Sequence, residues 1–313
     1  MGRIAVTGSV AYDTIMVFPG QFSDHILADK AHMLNLSFLV TSLEKRRGGT
    51  AANIAYTMSL LGEHPLLCAA VGNDFSEYGA DLARSGVDTS AALGCDDVAT
   101  ASCFITTDLA NNQITAFFPG AMARAAAIDL CPLGDVEHVV VAPDDPTAMA
   151  AHIGQATALG AKLVFAPAQQ IPSLPDETLI AGLDAAWLIV GNDYELELIR
   201  DRTGRDLDAL AARSLVALTR GGSGSEIRCG AEGVEIPAAS ATLVVDPTGA
   251  GDAYIAGLLT GLRRGLDPAQ AGRMGALAAT YAVEAQGTQA HRFAAGEFEE
   301  RYAQAFGAEL AHV

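Results

Sequence analysis

Paired cysteines, long apolar runs and an excess of positive charge are all missing from this sequence of 313 residues. Its five cysteines (Cys68, Cys95, Cys103, Cys131, Cys229) are scattered, odd in number and form no Cys-x-x-Cys pair. That excludes a disulfide framework and predicts free thiols in a reducing compartment, acting as small buried hydrophobes. The seven histidines are equally dispersed, with no metal-ligand spacing, so no structural zinc is expected. No apolar run approaches the roughly 18 residues of a membrane span. Lys and Arg number 19 against 37 Asp and Glu, a formal charge of −18. Nucleic acid and anionic membranes would be repelled by such a surface, though a local pocket can still take an anionic small molecule. The opening "MGRIAVTGSVAYD" has one positive charge and an apolar run too short for a signal sequence, so it reads as a first strand. A cytoplasmic protein is expected.

What is present is a globular composition, 50% apolar and 18% charged, on a chain long enough for a large core. Nearly continuous apolar runs recur: "RIAVTG" (3–8), "PLLCAAVG" (65–72), "HVVVAP" (138–143), "KLVFAP" (162–167), "AWLIVG" (186–191) and "SLVALT" (214–219). Such runs fit strands buried on both faces. Helical stretches lie between them. "TAANIAYTMSLLG" ends with Gly62 in the C-cap place, and "PTAMAAHIGQATALG" carries Pro146 near its start and Gly160 past its end. The alternation predicts an α/β fold: a Rossmann-like, doubly wound, mostly parallel sheet. Two segments depart from that rhythm, 14–45 ("TIMVFPG", "HMLNLSFLV") and 99–120 ("TASCFITTDLANNQITAFF" within it). Both read as antiparallel strands and hairpins, forming a small β lid inserted into the core. "SEIRCGAEGVEIP" predicts one more hairpin.

The chemistry concentrates in "LVVDPTGAGDAYIAGLL" (243–259). A β-branched run stops at Asp246, a glycine turn follows, and from Asp252 apolar residues recur at three- and four-residue steps, which predicts an amphipathic helix. Gly249, Ala250 and Gly251 at its start let a ligand approach closely, and the free N–H groups with the helix dipole favour an anion. No Lys-Ser/Thr follows, so this is no Walker A loop. The carboxylate of Asp252 beside that anion hole suits a base taking a proton from an attacking hydroxyl, while the helix end holds charge on phosphoryl oxygens. Read alone, the same residues fit an ordinary helix start. "RRGGTAANIAYTMSLLG" (46–62) puts Gly48 and Gly49 at a second helix start with Asn53 one turn in, suited to sugar hydroxyls or to a packing turn. "GNDYE" (191–195) offers Asn192 and Glu195 for a water-bridged Mg²⁺, or a helix cap. "TRGGSGSE" (219–226) offers backbone amides to phosphates, or a hairpin turn.

In this order "GGTAAN", "NDYE", "TRGGSG" and "DPTGAGD" resemble the signature motifs of the ribokinase (PfkB-type) carbohydrate and nucleoside kinases, with "VGNDFSEYG…GVDTS" (71–90) similar to that family's second strand–helix region. The resemblance runs from about residue 3 to about residue 290. It implies a ribokinase-like kinase domain spanning 1–313, with ATP as phosphoryl donor and a hydroxymethyl group as acceptor. Carried onto matching positions, it makes Asp252 the base and Gly249, Ala250 and Gly251 the anion hole. Thr219, Gly222 and Gly224 fall in the nucleotide loop, and Asn192 and Glu195 near Mg²⁺ and phosphate. Asp246 and Thr248 match the place where many members hold a monovalent cation, K⁺.

Asp13, with Gly48, Gly49 and Asn53, matches the family's sugar-hydroxyl clamp, and a carboxylate accepting two hydrogen bonds suits the cis-diol of ribose. "VFAPAQQI" sets Gln169 and Gln170 beyond a strand's carboxyl end, where amides can pair with a purine edge. The lid segments supply Phe38, Phe104, Phe117 and Phe118 as stacking candidates, with Phe104 and Phe118 taken as site residues. "AVTGSVAYD", "LNLSFLV", "PAQQ" and "FFPGAM" are similar to the bacterial adenosine-kinase branch. The expectation is an ATP-dependent nucleoside kinase acting on adenosine at its 5′-hydroxyl. Alternatives are a ribokinase- or fructokinase-type sugar kinase, or a catalytically silent nucleoside-binding protein on the same fold; retention of Asp252 argues against silence. A lid-to-lid homodimer is a further expectation.

Overall fold

The computed structural model describes residues 2–25, 36–110 and 112–310. In chain order the strands are β1 (Arg3–Thr7), β2 (Ala11–Val17), β3 (Ser42–Gly48), β4 (Leu66–Cys68), β5 (Ala70–Gly72), β6 (Leu93–Cys95), β7 (Ala101–Thr107) and β8 (Gln113–Phe118). They continue as β9 (Val136–Val141), β10 (Lys162–Phe165), β11 (Ala186–Asn192), β12 (Leu215–Thr219), β13 (Ser225–Cys229) and β14 (Glu232–Ile236). The helices are α1 (Thr50–Leu60), α2 (Ser76–Ser85), α3 (Pro146–Leu159), α4 (Asp176–Ala185) and α5 (Asp193–Thr203). After them come α6 (Leu207–Ala211), α7 (Ala250–Arg263), α8 (Pro268–Val283) and α9 (Ala295–Phe306).

Eight strands make one sheet in the order β14-β13-β12-β11-β10-β9-β1-β4. Pairing is parallel from β4 to β12, and β13 with β14 closes the far side as the expected antiparallel hairpin. Parallel neighbours need crossovers, and the intervening helices cover both faces, which is why the core strands are apolar without a gap. Successive residues of β9 split between two cores: Val140 belongs to the one that holds Ile54, Tyr78 and Leu258, while Val139 and Val141 belong to the one that holds Met149, Phe165 and Leu179. This is the doubly wound α/β architecture expected from the alternation.

A second sheet, β3-β2-β7-β8, forms the lid. Its central pair β2–β7 is parallel and its outer pairs are antiparallel. The lid therefore begins at Ala11, earlier than residue 14, and Asp13 sits inside its first strand. The returning strand is the polar "SLEKRRG"; "LNLSFLV" forms no strand over 36–40, and residues 26–35 of that segment lie outside the described residues. Phe38 packs instead against Phe18 and Phe22, with ring centroids 4.9 and 5.0 Å apart. "PLLCAAVG" divides after Cys68: β4 joins the main sheet and β5 pairs with β6. "LVV" at 243–245 is no strand either. The Val283 carbonyl at the end of α8 takes the amides of both Val245 and Asp246, a helix-end contact rather than a strand ladder.

Candidate active site

Strand order reverses at β1, which has β4 on one side and β9 on the other. Doubly wound sheets bind ligands at such a reversal, outside the carboxyl ends of the strands. A cavity of about 560 Å³ opens there, beneath the lid. Ser9 follows β1, Pro143 follows β9, Ala168, Gln169 and Gln170 follow β10, and Glu195 enters from α5. Gly249, Gly251 and Asp252 come from the start of α7, and Gly49, Thr50 and Asn53 from the start of α1. Asp13, Cys103 and Phe117 close it from the lid. Residues scattered from 9 to 288 thus meet in one place.

Two glycines build the walls. Gly49 has φ +94, and a Cβ there would lie 2.6 Å from Ala11 N, Ser9 O and Val10 Cα, so only glycine lets the lid strand turn into α1. Gly249 caps α7 at φ +81, and its Cβ would meet Thr288 at 3.0 Å. Gly251 faces open space, leaving the first turn of α7 free for an anion. Gly48 lies beside Asp13, and a Cβ there would sit 2.5 Å from Asp13 Oδ2 and push that carboxylate aside.

Asp252 accepts a 2.8 Å hydrogen bond from Asn53 Nδ2. Burial raises its carboxyl to about 7, the Asn53 bond opposes the rise and the Glu195 charge adds to it. A carboxylate near neutrality at the floor of a cavity is suited to taking and returning a proton. Burial likewise raises Asp13, with Arg46 opposing and Asp246 reinforcing the shift. Asn192 and Glu195 form a capping box: Glu195 N donates to Asn192 Oδ1 (2.9 Å), while Asn192 N and Nδ2 donate to Glu195 (both 3.0 Å). The cap does not exclude a ligand role, since Glu195 also faces the cavity. Among the described residues no three His, Cys, Asp or Glu side chains gather as a metal cage. Of the capping pair only Glu195 is among the residues lining the cavity, where a carboxylate can take a largely hydrated Mg²⁺.

Asp246 sits in the turn that precedes α7. Its Oδ1 accepts from Thr248 N (3.0 Å), and its Oδ2 from Gly287 N (3.1 Å) and Arg46 Nη1 (3.3 Å). The carboxylate braces the turn through two amides and a guanidinium. Thr248 lines the cavity beneath the lid. Thr219, Gly222 and Gly224 lie outside the cavity lining, but Thr219 is the register partner of Asn192, which keeps the two motifs adjacent.

The stacking residues also need correction. Register joins Asp13 to Cys103 and Cys103 to Phe117, so these share the cavity face of the lid. Phe104 and Phe118 belong to the alternate positions and point to the opposite face, 43% and 47% exposed. Phe117 is the aromatic that the lid brings to the cavity. Sequence reading also missed Gln289, whose amide bonds Asn53 Oδ1 at 2.8 Å from 236 residues away. No local pattern marks it.

The profile of the pfkB family of carbohydrate kinases matches residues 6–293. A nucleoside kinase of Methanocaldococcus jannaschii is 33% identical over 259 residues, covering 82% of this chain and 85% of that one. The structure of Burkholderia thailandensis nucleoside kinase in complex with inosine superposes with a TM-score of 0.89 at 36% identity, covering 99% of this chain and 100% of that one. The same enzyme in complex with ADP-inosine gives 0.87 at 37% identity, covering 99% and 98%.

Proposed function

Because the chain belongs to the pfkB family of carbohydrate kinases, we propose that it is an ATP-dependent nucleoside kinase that phosphorylates the 5′-hydroxyl. The observation that carries this reading is Asp252, raised to about 7, at the N-terminal turn of α7 in the cavity that also holds Asp13. The ribose diol would sit on Asp13, with Asn53 beside it, and the base between Phe117 and the Gln169–Gln170 segment. Asp252 takes the proton of the 5′-hydroxyl as its oxygen bonds the γ-phosphorus. The bond from that phosphorus to the bridging oxygen breaks, and ADP leaves. Amides of Gly249, Ala250 and Gly251 face the charge that develops on the phosphoryl oxygens. Mg²⁺, held through water by Glu195 and Asn192, would neutralise phosphate charge.

Adenosine is our preferred acceptor, because the side-chain amides of Gln169 and Gln170 can meet a purine edge that both donates and accepts. Gln170 is already oriented: its Nε2 donates to the Asp144 carbonyl, leaving Oε1 to accept from a ligand. Inosine is the second reading, favoured by the Burkholderia complex. The test is Asp13→Ala. Loss of a charge-assisted pair to the diol should cost about 2–4 kcal/mol in kcat/KM for ribonucleosides, and much less for 2′-deoxynucleosides. Equal losses for both would show that Asp13 does not read the diol.

A further inference from the structure

Asn53 can face Asp252 in two ways, and the difference matters. With its nitrogen toward the carboxylate it donates and favours the charged base; flipped, it would set an oxygen against a carboxylate. The surrounding hydrogen bonds decide between them. The Gly48 carbonyl, which can only accept, takes the Tyr78 hydroxyl proton at 2.8 Å. Tyr78 is fully buried, and burial above all holds its phenol far above the ordinary range, so that proton stays. Its oxygen is then left to accept, and it receives Gln289 Nε2 at 2.5 Å. The same nitrogen donates to Asn53 Oδ1 at 2.8 Å. Asn53 therefore has only its own nitrogen to offer Asp252, at 2.8 Å. One backbone carbonyl fixes the direction of every bond in the chain.

We propose that Gln289 is a positioning residue, which locks the Asn53 amide with its nitrogen toward Asp252. It is far from the reacting atoms in sequence and acts on them only through Asn53. The inference rests on the reading of Asp252 as the base. The charged groups sharing the Asp252 cavity are Glu195 from α5 and Asp13 from β2. Both are acidic, and a nearby negative charge disfavours the carboxylate, so neither can replace the lost donor. On its other side Gln289 faces a second cavity of about 630 Å³, whose charged lining is Lys45, Arg46, Arg47, Asp81, Arg84 and Arg292, with Arg47 paired to Asp81.

Two variants of similar size test this. Gln289→Leu removes both donors. Gln289→Glu supplies a carboxylate that only accepts, so Asn53 must turn its nitrogen away from Asp252. The pKa of Asp252 is read in the unliganded enzyme by ¹³C-carboxyl NMR, and the pH profile of kcat/KM is read beside it. In wild type the acid limb should have its midpoint near 7. Both variants should move it up by about one unit, which is about a tenfold loss at pH 6 that disappears by pH 9. A role in packing alone would lower the rate equally at every pH, with an unmoved NMR midpoint, and that result overturns the proposal. An NMR midpoint that moves while the rate profile does not would uphold the positioning role and remove Asp252 as the base. If Gln289→Leu does not fold, Gln289→Glu and Tyr78→Phe, which deletes the anchoring proton, carry the same test. Tyr78→Phe should shift the midpoint in the same direction by less.

Discussion

The catalytic role proposed for Asp252 comes with a cost in stability. Asp252→Asn keeps shape and the Asn53 contact but cannot take a proton, so kcat should fall by at least about 10²-fold while nucleoside binding survives. The folded carboxyl titrates near 7 against an ordinary 3.8. A carboxyl raised in this way favours the folded state at low pH and takes stability away as pH climbs through that window. The unscreened shift amounts to about 4 kcal/mol, reduced to about 2 kcal/mol by solvent in the cavity. The Asn variant should therefore melt higher than wild type at pH 8 and equally at pH 4, as measured by scanning calorimetry. A variant with kcat within threefold of wild type would remove the base assignment. Asp252 was legible in the sequence because the glycine turn and the acid are contiguous, so helix-end physics could be read from seven letters. Gln289 was not, because its partners Asn53 and Tyr78 come from α1 and α2.

Among the elements, the lid depended on information the sequence does not display. Two hairpin-like segments were visible, but which face of each strand looks inward depends on register with a partner. In a strand a one-residue error turns every side chain over. That is how Phe104 and Phe118 were preferred over Phe117. The apolar "LNLSFLV" likewise outweighed the polar "SLEKRRG" as a strand candidate, although only the latter finds β2 as a partner. The corrected parity gives a paired prediction. Phe117→Ala should raise KM for nucleosides about 10- to 100-fold, from the roughly 1–3 kcal/mol of stacking by analogy with base–aromatic platforms. Phe104→Glu should leave KM unchanged, because it lies with exposed Leu43, Ile114 and Phe118 on the outer face. We propose that this outer face pairs two copies, so the same variant should lower the mass seen by light scattering. A KM effect from Phe104→Glu matching that of Phe117→Ala would contradict the register.

At the scale of the whole molecule, buried titrating groups pull stability in opposite directions. Burial raises Asp144 to about 8, Asp252 to about 7, and Asp13 and Glu195 in the same direction. These groups remove stability as pH rises from about 4 to 8. Burial lowers His138, His152 and His291 to about 4, so each adds stability above its ordinary 6.5 that is lost as pH falls toward 4. Thermal melts of the unliganded protein should peak near pH 6 and decline on both sides, with Asp144→Asn flattening the alkaline limb. A melting temperature that climbs steadily to pH 9 would contradict the burial of these carboxyls. The sequence showed the acidic balance, but not that Asp144, in the loop after β9, is buried where Gln170 from the segment after β10 donates to its carbonyl.

The identity of the acceptor is what most directly separates a nucleoside kinase from a sugar kinase. Purified protein incubated with ATP and Mg²⁺, offered adenosine, inosine, ribose and fructose in turn and followed by ³¹P NMR, should yield nucleoside 5′-monophosphate and ADP in equal amounts. Adenosine should be preferred over free ribose by more than about 100-fold, a gap of roughly 2.7 kcal/mol in transition-state binding contributed by the base. Phosphorylation of ribose or fructose at rates matching or exceeding the nucleosides, or no ADP with any acceptor, would contradict it.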